Sequence, residues 1–167
     1  EIRYEGYGPG SVAVIIDVLT DNKNRTASEI RSAFSKNGGN LGETGSLSFV
    51  FTRKGVIKFK AEECGEDKFF ELAAEAGAED INSDITAHTA ICVVEDFGNV
   101  RDEITNKLGD PISAKLEWVP QNLQSINEEQ AEKILKFIDL LEDNDDVQTV
   151  YTNVDVSDEV MEKINSN

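Results

Sequence analysis

An α+β fold of two small sheet-and-helix domains is predicted, with one ferredoxin-like (βαββαβ) domain inserted into a discontinuous α/β domain. Residues 56–119 carry apolar patterns in the order strand, helix, strand, strand, helix, strand, which is the order of the ferredoxin-like fold. Before this segment, the patterns of residues 3–53 predict only a strand, a helix and a strand. After it, the patterns of residues 121–155 predict a helix and a strand. Because the two flanks together supply a second sheet domain, we expect one domain from residues 1–54 and 121–167, and an inserted domain from residues 55–120.

The first flank opens with a central strand. Residues 12–19 form a nearly continuous apolar run rich in β-branched side chains, which is typical of a strand buried on both faces. Glycines and Pro9 before this run predict a bend. The helix that follows is expected to begin at a capping box from Thr26 to Glu29, and Gly38 is placed to end it in the left-handed conformation.

A further strand is predicted after the glycine-rich loop, because apolar and polar residues alternate over residues 46–52. Residues 53–55 then predict a turn into the next strand. The later elements expected are a strand at 56–59, a helix at 67–76 closed by Gly77, strands at 78–81 and 89–94, a helix at 99–108 ended by Gly109, a strand at 112–119, a long helix capped by Asn127, a strand at 147–154 and a short helix from Ser157.

Charge is distributed unevenly along the chain. The net charge of −17 argues against attraction of the whole chain to a polyanion. Residues 1–60, however, hold nine basic and six acidic side chains, a net charge of +3, which leaves −20 for the remainder. The acidic remainder would repel a polyanion and so orient the molecule with its basic segment foremost.

Several classes of site find little support in the sequence. Cys64 and Cys92 lie far apart outside any CxxC spacing, which favours reduced, buried thiols. His88 is the single histidine and has no partner for a metal site or catalytic triad, so it is expected to be a strand residue. The acidic stretches lack calcium-loop spacing. We therefore expect no enzyme activity, no cofactor and no metal; the sequence also has no membrane-spanning run and no signal-peptide pattern.

The glycine-rich loop at residues 38–46 has three possible interpretations. Clustered glycines can expose backbone N–H groups as a cradle for phosphate. A nucleotide-binding loop of the Walker or dinucleotide type is disfavoured, because those loops open a helix and here a strand is expected to follow. The loop is otherwise a turn that needs glycine for its backbone, or a segment that approaches a nucleic-acid backbone beside the neighbouring basic residues.

Four cations, Lys23, Arg25, Arg31 and Lys36, surround the predicted first helix. Lys36 suits the negative end of the helix dipole, whereas Arg25 lies at the unfavourable end and is the better functional candidate; a solvated basic face is the alternative. Tyr7, like Tyr4, could stack on bases or pack at the start of a strand. The candidate nucleic-acid-binding residues are Arg3, Tyr7, Lys23, Asn24, Arg25, Arg31, Lys36, Asn37, Gly38, Gly39, Asn40, Arg53 and Lys54.

Three motifs stand in the first third of the chain: Gly6-Tyr7-Gly8-Pro9, Thr20-Asp21-Asn22-Lys23-Asn24-Arg25-Thr26 and Lys36-Asn37-Gly38-Gly39-Asn40-Leu41-Gly42. They resemble motifs of the YebC-type family of transcriptional regulatory proteins, which includes a mitochondrial activator of cytochrome c oxidase translation. Weaker similarity continues through Leu116-Glu117-Trp118-Val119-Pro120 to the last strand. The chain looks like the family's two α/β domains without its basic, helical N-terminal domain. Because the sequence opens on Glu1 and not on an initiating Met, we expect that an upstream segment was removed or was never built.

The resemblance implies a non-enzymatic gene-expression regulator that binds nucleic acid, in a bacterial cytoplasm or in a mitochondrion. One form of that function is a DNA-binding transcriptional regulator. The alternative is a ribosome-associated translation factor that acts on stalled, proline-rich synthesis through contacts with ribosomal or transfer RNA. No membrane partner is expected, and no DNA-reading helix-turn-helix is visible in the sequence.

Overall fold

The computed structural model describes residues 1–165, which divide into two compact units. The first unit comprises Glu1–Thr52 and the chain from Val119 onward, and the second comprises Arg53–Trp118. The elements in chain order are β1 (Ile2–Tyr7), β2 (Ala13–Val18), α1 (Lys23–Lys36), β3 (Asn40–Leu41), β4 (Phe51–Lys60), α2 (Glu66–Ala76), β5 (Asp80–Ser83), β6 (Ala87–Cys92), α3 (Phe97–Leu108), β7 (Ser113–Pro120), β8 (Gln124–Ser125), α4 (Glu128–Glu142), β9 (Val147–Thr152), β10 (Val154–Asp155) and α5 (Asp158–Asn165).

The first unit is built on a four-stranded antiparallel sheet in the order β3-β1-β2-β9. The central strand β2 is buried on both faces, as its apolar run predicts: Val14 and Ile16 on one face and Ala13 and Ile15 on the other are almost fully buried. Helices α1 and α4 contribute the buried side chains Ile30, Phe34, Ile134, Phe137 and Leu141 to a core that also contains Val12, Val14, Ile16 and Val18.

Helix α1 begins one turn earlier than predicted. Asn22, and not Thr26, is the N-cap, and its side-chain oxygen accepts a hydrogen bond from the Arg25 amide at 3.0 Å. Thr26 lies inside the first turns and is buried, so its hydroxyl serves other partners. At the other end Gly38 has φ +77°, as predicted, and the Gly39 amide bonds to the Phe34 carbonyl at 2.8 Å in a Schellman arrangement.

Two local predictions around residue 50 are wrong. Residues 44–50 form turns instead of a strand, because their amides are bound by side-chain and turn acceptors described below. The strand β4 starts at Phe51 and runs through residues 53–55, where a turn was predicted. Gly55 pairs with Cys92 in the ladder, and a Cβ at this position would lie 2.5 Å from the Phe97 ring. Glycine is therefore needed there for close packing against Phe97, not for a turn.

The second unit is a four-stranded sheet in the order β5-β6-β4-β7, with α2 and α3 packed on one face. The central strands are β4 and β6, which are the first and third strands of this unit along the chain. This is the strand order of the ferredoxin-like fold. The core contains Ile57, Phe59, Phe69, Ala73, Ala90, Cys92, Val100 and Ile104. Gly77 ends α2 in the left-handed conformation with φ +106°, as predicted. The α+β fold class expected from the sequence is confirmed.

Helix α4 starts where the sequence indicates. The Asn127 side chain accepts from the Gln130 amide at 2.9 Å, and the Gln130 side chain accepts from the Asn127 amide at 3.2 Å, which completes a capping box. The last predicted strand, at 147–154, is interrupted at Asn153 and so becomes β9 and β10. Within residues 1–165, every helix is too short or too polar to span a bilayer.

Candidate nucleic-acid interface

The predicted site residues lie in three places. Most are on α1 or just after it: Lys23, Asn24, Arg25, Arg31 and Lys36 on the helix, Asn37 at its C-cap, and Gly38, Gly39 and Asn40 leading into β3. Arg3 and Tyr7 are on β1. Arg53 and Lys54 belong to β4 within the second unit.

Three of the α1 cations are exposed and carry uncompensated charge. Lys23, Arg31 and Lys36 form no ion pair with any carboxylate among residues 1–165. They do not form one stripe, because helical geometry places Arg31 and Lys36 about 140° apart around the axis. Burial raises the pKa of Tyr4, and the charge of Arg31 partly offsets this rise, so Arg31 is on the side of α1 near Tyr4. The cations therefore flank both sides of the exposed surface of α1.

Arg25 is compensated by carboxylates. Its guanidinium lies 3.0 Å from Asp146, 3.6 Å from Asp21 and 3.9 Å from Glu29. The hydrogen bond from Arg25 to Asp146, and then the negative charge of Asp146, raise the pKa of the Arg25 side chain above its ordinary value. Arg25 is still half-exposed, but its nearest anion is a side chain of the same unit. The structure thus gives Arg25 a role in holding α1 in place.

The residues around Arg25 form a polar junction that explains much of the 20–26 motif. The Thr26 hydroxyl donates to the Asp146 carboxylate at 2.7 Å, and the Thr20 hydroxyl lies 3.3 Å from the same carboxylate. The pKa of Asp146 lies below its ordinary value. The hydrogen bond from Thr26 lowers it most, followed by the hydrogen bond from Arg25, and the hydrogen bond from Thr20 contributes less. The junction ties the start of α1 to the connection between α4 and β9, which lies more than a hundred residues away in the chain.

The glycine-rich loop is not a vacant phosphate cradle. The Glu5 carboxylate, which is 2% exposed, accepts the Gly45 amide at 2.6 Å and the Leu47 amide at 3.1 Å. The Gly42 amide bonds to the backbone oxygen of Glu5 at 2.8 Å. An internal carboxylate thus occupies amides that could otherwise bind phosphate. Sequence reasoning did not single out Glu5, because the strand that carries it, β1, was not predicted and the first strand was expected only at residues 12–19.

Two glycines permit the close approach of β1 and β3. A Cβ on Gly39 would overlap the backbone oxygen of Tyr7, and a Cβ on Gly6 would lie 2.6 Å from the backbone oxygen of Asn40. Gly6 and Tyr7 pair with Leu41 and Asn40 in the antiparallel register. The turn interpretation of the glycines, in which they meet a backbone requirement, therefore has a direct structural basis at these positions.

The opposite face of the first sheet carries the β1 candidates. Arg3 and Tyr7 alternate with the helix-facing residues of β1 and so share a face with Glu5. The Arg3 guanidinium pairs with Glu5 at 3.1 Å, and Tyr7 is 40% exposed. The loop at residues 42–50 covers this face and presents Phe49, which is 69% exposed. Phe49 was assigned to a strand in the sequence prediction, so its exposure could not be anticipated.

The two candidates in the second unit are engaged locally. The Arg53 guanidinium lies 5.2 Å from the centre of the Trp118 ring, in cation–π geometry. Lys54 forms an ion pair with Glu79. Both contacts are inside the second unit and give these cations a structural role there.

Reactive side chains have structural partners. His88 lies in β6, with Nε2 2.8 Å from the Cys64 backbone oxygen, so Nε2 carries the proton and Nδ1 faces the Ser83 hydroxyl at 2.7 Å. Burial raises the pKa of the Cys64 and Cys92 thiols, which disfavours the nucleophilic thiolate. Among the described residues, no group of three His, Cys, Asp or Glu side chains is arranged to hold a metal ion.

A family model described as the TACO1/YebC second and third domain matches residues 1–154. The chain belongs to the TACO1/YebC family. It is also similar to the crystal structure of a conserved hypothetical protein, Aq1575, from Aquifex aeolicus, with a TM-score of 0.87 and 42% identity. That match covers 96% of this chain and 67% of the Aquifex chain. The resemblance drawn from the sequence motifs is therefore confirmed.

Membership of the TACO1/YebC family supports a role of the transcriptional-regulator type at the level of the family, which is generally regulatory and non-enzymatic. The matched range extends to residue 154 and so includes every candidate residue on β1, α1, β3 and β4. It also includes Glu5 and Asp146, the carboxylates that bind the loop amides and Arg25. The matched range therefore contains both these carboxylates and the exposed cations of α1.

Proposed function

We propose that this protein is a non-enzymatic gene-expression regulator that binds nucleic acid, acting as a DNA-binding transcriptional regulator in a bacterial cytoplasm or in a mitochondrion. The observation that carries the proposal is the set of exposed, unpaired cations Lys23, Arg31 and Lys36 on one helix of a chain with net charge −17. Such cations bind a polyanion by releasing its counterions, while the acidic remainder of the chain turns away from it.

A second candidate function is that of a ribosome-associated translation factor that contacts ribosomal or transfer RNA. The exposed cations Lys23, Arg31 and Lys36 favour it in one respect: cationic side chains suit the phosphates of a nucleic-acid backbone, which carry no sequence information. Within residues 1–165 no pair of helices is arranged as a helix-turn-helix. Backbone recognition of this kind serves folded RNA as well as duplex DNA.

The proposal is tested by the salt dependence of binding. In the variant Lys23→Gln/Arg31→Gln/Lys36→Gln, the negative slope of log K against log salt concentration should become shallower by about 2 to 3 for duplex DNA, because each phosphate contact contributes about −0.9. The control Lys107→Gln/Lys133→Gln/Lys136→Gln removes the same charge from α3 and α4 and should leave the slope nearly unchanged. Equal effects of the two variants would contradict a localised interface.

The choice between the two functions needs the natural target. Crosslinking of the protein in cells, followed by identification of the attached nucleic acid, should recover promoter DNA if it is a transcriptional regulator. Recovery of ribosomal and transfer RNA would select the translational function. Recovery of no nucleic acid, with the full-length protein expressed at its natural level, would contradict both.

A further inference from the structure

Phe49 is exposed, whereas the apolar residues Leu47 and Val50 near it in the chain are buried. It is 69% exposed, whereas Leu47 and Val50 in the same loop are 0% and 7% exposed. A flexible loop would bury a large apolar ring when it can, since burial of a Phe side chain stabilises by about 1.5–3 kcal/mol. Here the residues on both sides are anchored, so that the backbone holds the Phe49 ring away from the core.

We call residues 42–50 the Phe49 loop. Several hydrogen bonds fix its backbone. Glu5 binds the amides of Gly45 and Leu47, and the Ser48 and Val50 amides bond to the Gly45 and Leu47 carbonyls at 3.2 and 3.0 Å. The Gln121 amide bonds to the Val50 carbonyl at 2.7 Å. The ring is thus presented on an ordered support, and little conformational entropy remains to be lost on binding.

The surroundings of Phe49 are polar. Exposed Thr44, Ser46 and Ser48 hydroxyls belong to the same loop, and its acidic member is the exposed Glu43. On β1, Arg3 and Tyr7 lie about 7 Å on either side of Glu5 along the strand. The charge of Glu5 is compensated by Arg3 and by the two amides it accepts. The patch therefore combines a ring, hydroxyls and a partly exposed guanidinium.

We propose that the Phe49 loop is a stacking site for an unpaired base of single-stranded nucleic acid, with Phe49 as the platform. The inference rests on the proposed function and adds a second surface to it, on the sheet face opposite α1. An exposed ring in a loop of hydroxyl-bearing residues suits the flat face of a base, and every base offers such a face. A protein partner would instead need a broader contiguous apolar area, as hot spots are surrounded by packed contacts.

The test compares binding of single-stranded DNA and RNA of about 15 nucleotides with binding of the matching duplexes. Phe49→Ala should weaken single-strand binding between about 5-fold and 100-fold and leave duplex binding unchanged, because duplex bases are already stacked. Phe70→Ala is the matched control: Phe70 is also an exposed ring, 58% accessible, but lies on α2 of the second unit. It should bind both nucleic acids as the unaltered protein does.

A second readout reports stacking directly. In Phe49→Trp, the fluorescence of the new indole should be quenched when the single strand is added. The unaltered protein, whose single tryptophan is Trp118, gives the reference fluorescence. Unchanged single-strand affinity of Phe49→Ala, equal losses for strand and duplex, an equal loss in Phe70→Ala, or an unquenched indole at saturation would each overturn the inference. If the α1 triple variant loses binding while Phe49→Ala does not, only this inference fails. If the unaltered protein binds none of these DNA and RNA strands or duplexes, both proposals fail.

Discussion

At the scale of single residues, buried polar groups hold together distant parts of the first unit. Asn153 is an example: its side-chain oxygen accepts the Ala13 amide at 2.8 Å, and its side-chain nitrogen donates to the Asn122 carbonyl at 3.0 Å. Its own amide bonds to the Ala13 carbonyl at 3.2 Å. One side chain, at the break between β9 and β10, thus links β2 to the segment that precedes β8.

Asn153→Ala should lower the free energy of unfolding by about 2–4 kcal/mol, because two hydrogen bonds are lost and the buried Ala13 amide is left without a partner. Urea denaturation at neutral pH measures this difference. Asn106→Ala, at an exposed position of α3, is the control and should change stability by less than about 0.5 kcal/mol. A similar small change for Asn153→Ala would show that the side chain is not needed to join these strands.

Asp146 predicts how stability depends on pH. Its pKa is lowered in the folded protein by Thr26 and then Arg25, so the folded state favours the carboxylate more strongly than the unfolded state does. The stabilisation is present above the ordinary pKa of 3.8 and is lost as the pH falls through the lower, folded value. The unaltered protein should therefore exceed Asp146→Asn in stability most clearly near neutral pH. Chemical denaturation across the acid range should show the difference shrinking below about pH 4; a constant difference would contradict this assignment.

At the scale of elements, the Phe49 loop shows how a single side chain changes secondary structure. Residues 46–52 alternate as a strand would, but the amides of Gly45 and Leu47 are taken by the Glu5 carboxylate. A strand there would have to give up these charge-assisted bonds, which are stronger than neutral ones. The loop therefore turns over the sheet, and β4 begins only at Phe51.

Glu5→Gln should loosen the Phe49 loop selectively. The amide side chain retains one acceptor oxygen but directs N–H groups at the second backbone donor, and the charge of the acceptor is lost. Hydrogen exchange of the Gly45 and Leu47 amides should become at least about ten-fold faster, which corresponds to about 1.4 kcal/mol. The control Glu43→Gln alters an exposed carboxylate of the same loop and should leave these amides protected. Protection unchanged in Glu5→Gln would contradict the anchoring role.

At the scale of the whole molecule, the division into two units leaves a prediction about folding domains. The second unit has its own core, with Ile57, Phe59 and Phe69 fully buried within it. The sequence places an inserted domain at residues 55–120, and the compact unit is Arg53–Trp118. A domain of this size buries only about 60% of its unfolded surface, so its independent stability should be modest.

Residues 53–118 expressed alone should unfold in one cooperative transition on heating. Ile57→Ala should lower the midpoint markedly, since deletion of a buried Ile side chain costs about 2–5 kcal/mol. Lys58→Ala, at the exposed neighbouring position of β4, should have little effect. A fragment with helical circular dichroism but no cooperative transition would show that this unit depends on the rest of the chain.

Features that depend on near neighbours could be predicted from the sequence: the order of strands and helices in the second unit, the Asn127 capping box, and the glycines that end α1 and α2. These signals act over one or two turns, within the reach of local hydrogen bonds and steric preferences. The Phe49 loop and the compensation of Arg25 follow instead from contacts made in the folded chain. They join residues 121 positions apart at Arg25 and Asp146, and 40 apart at Gly45 and Glu5. Whether a polar group meets a partner at such a separation depends on how the sheet and helices pack, which no local pattern contains.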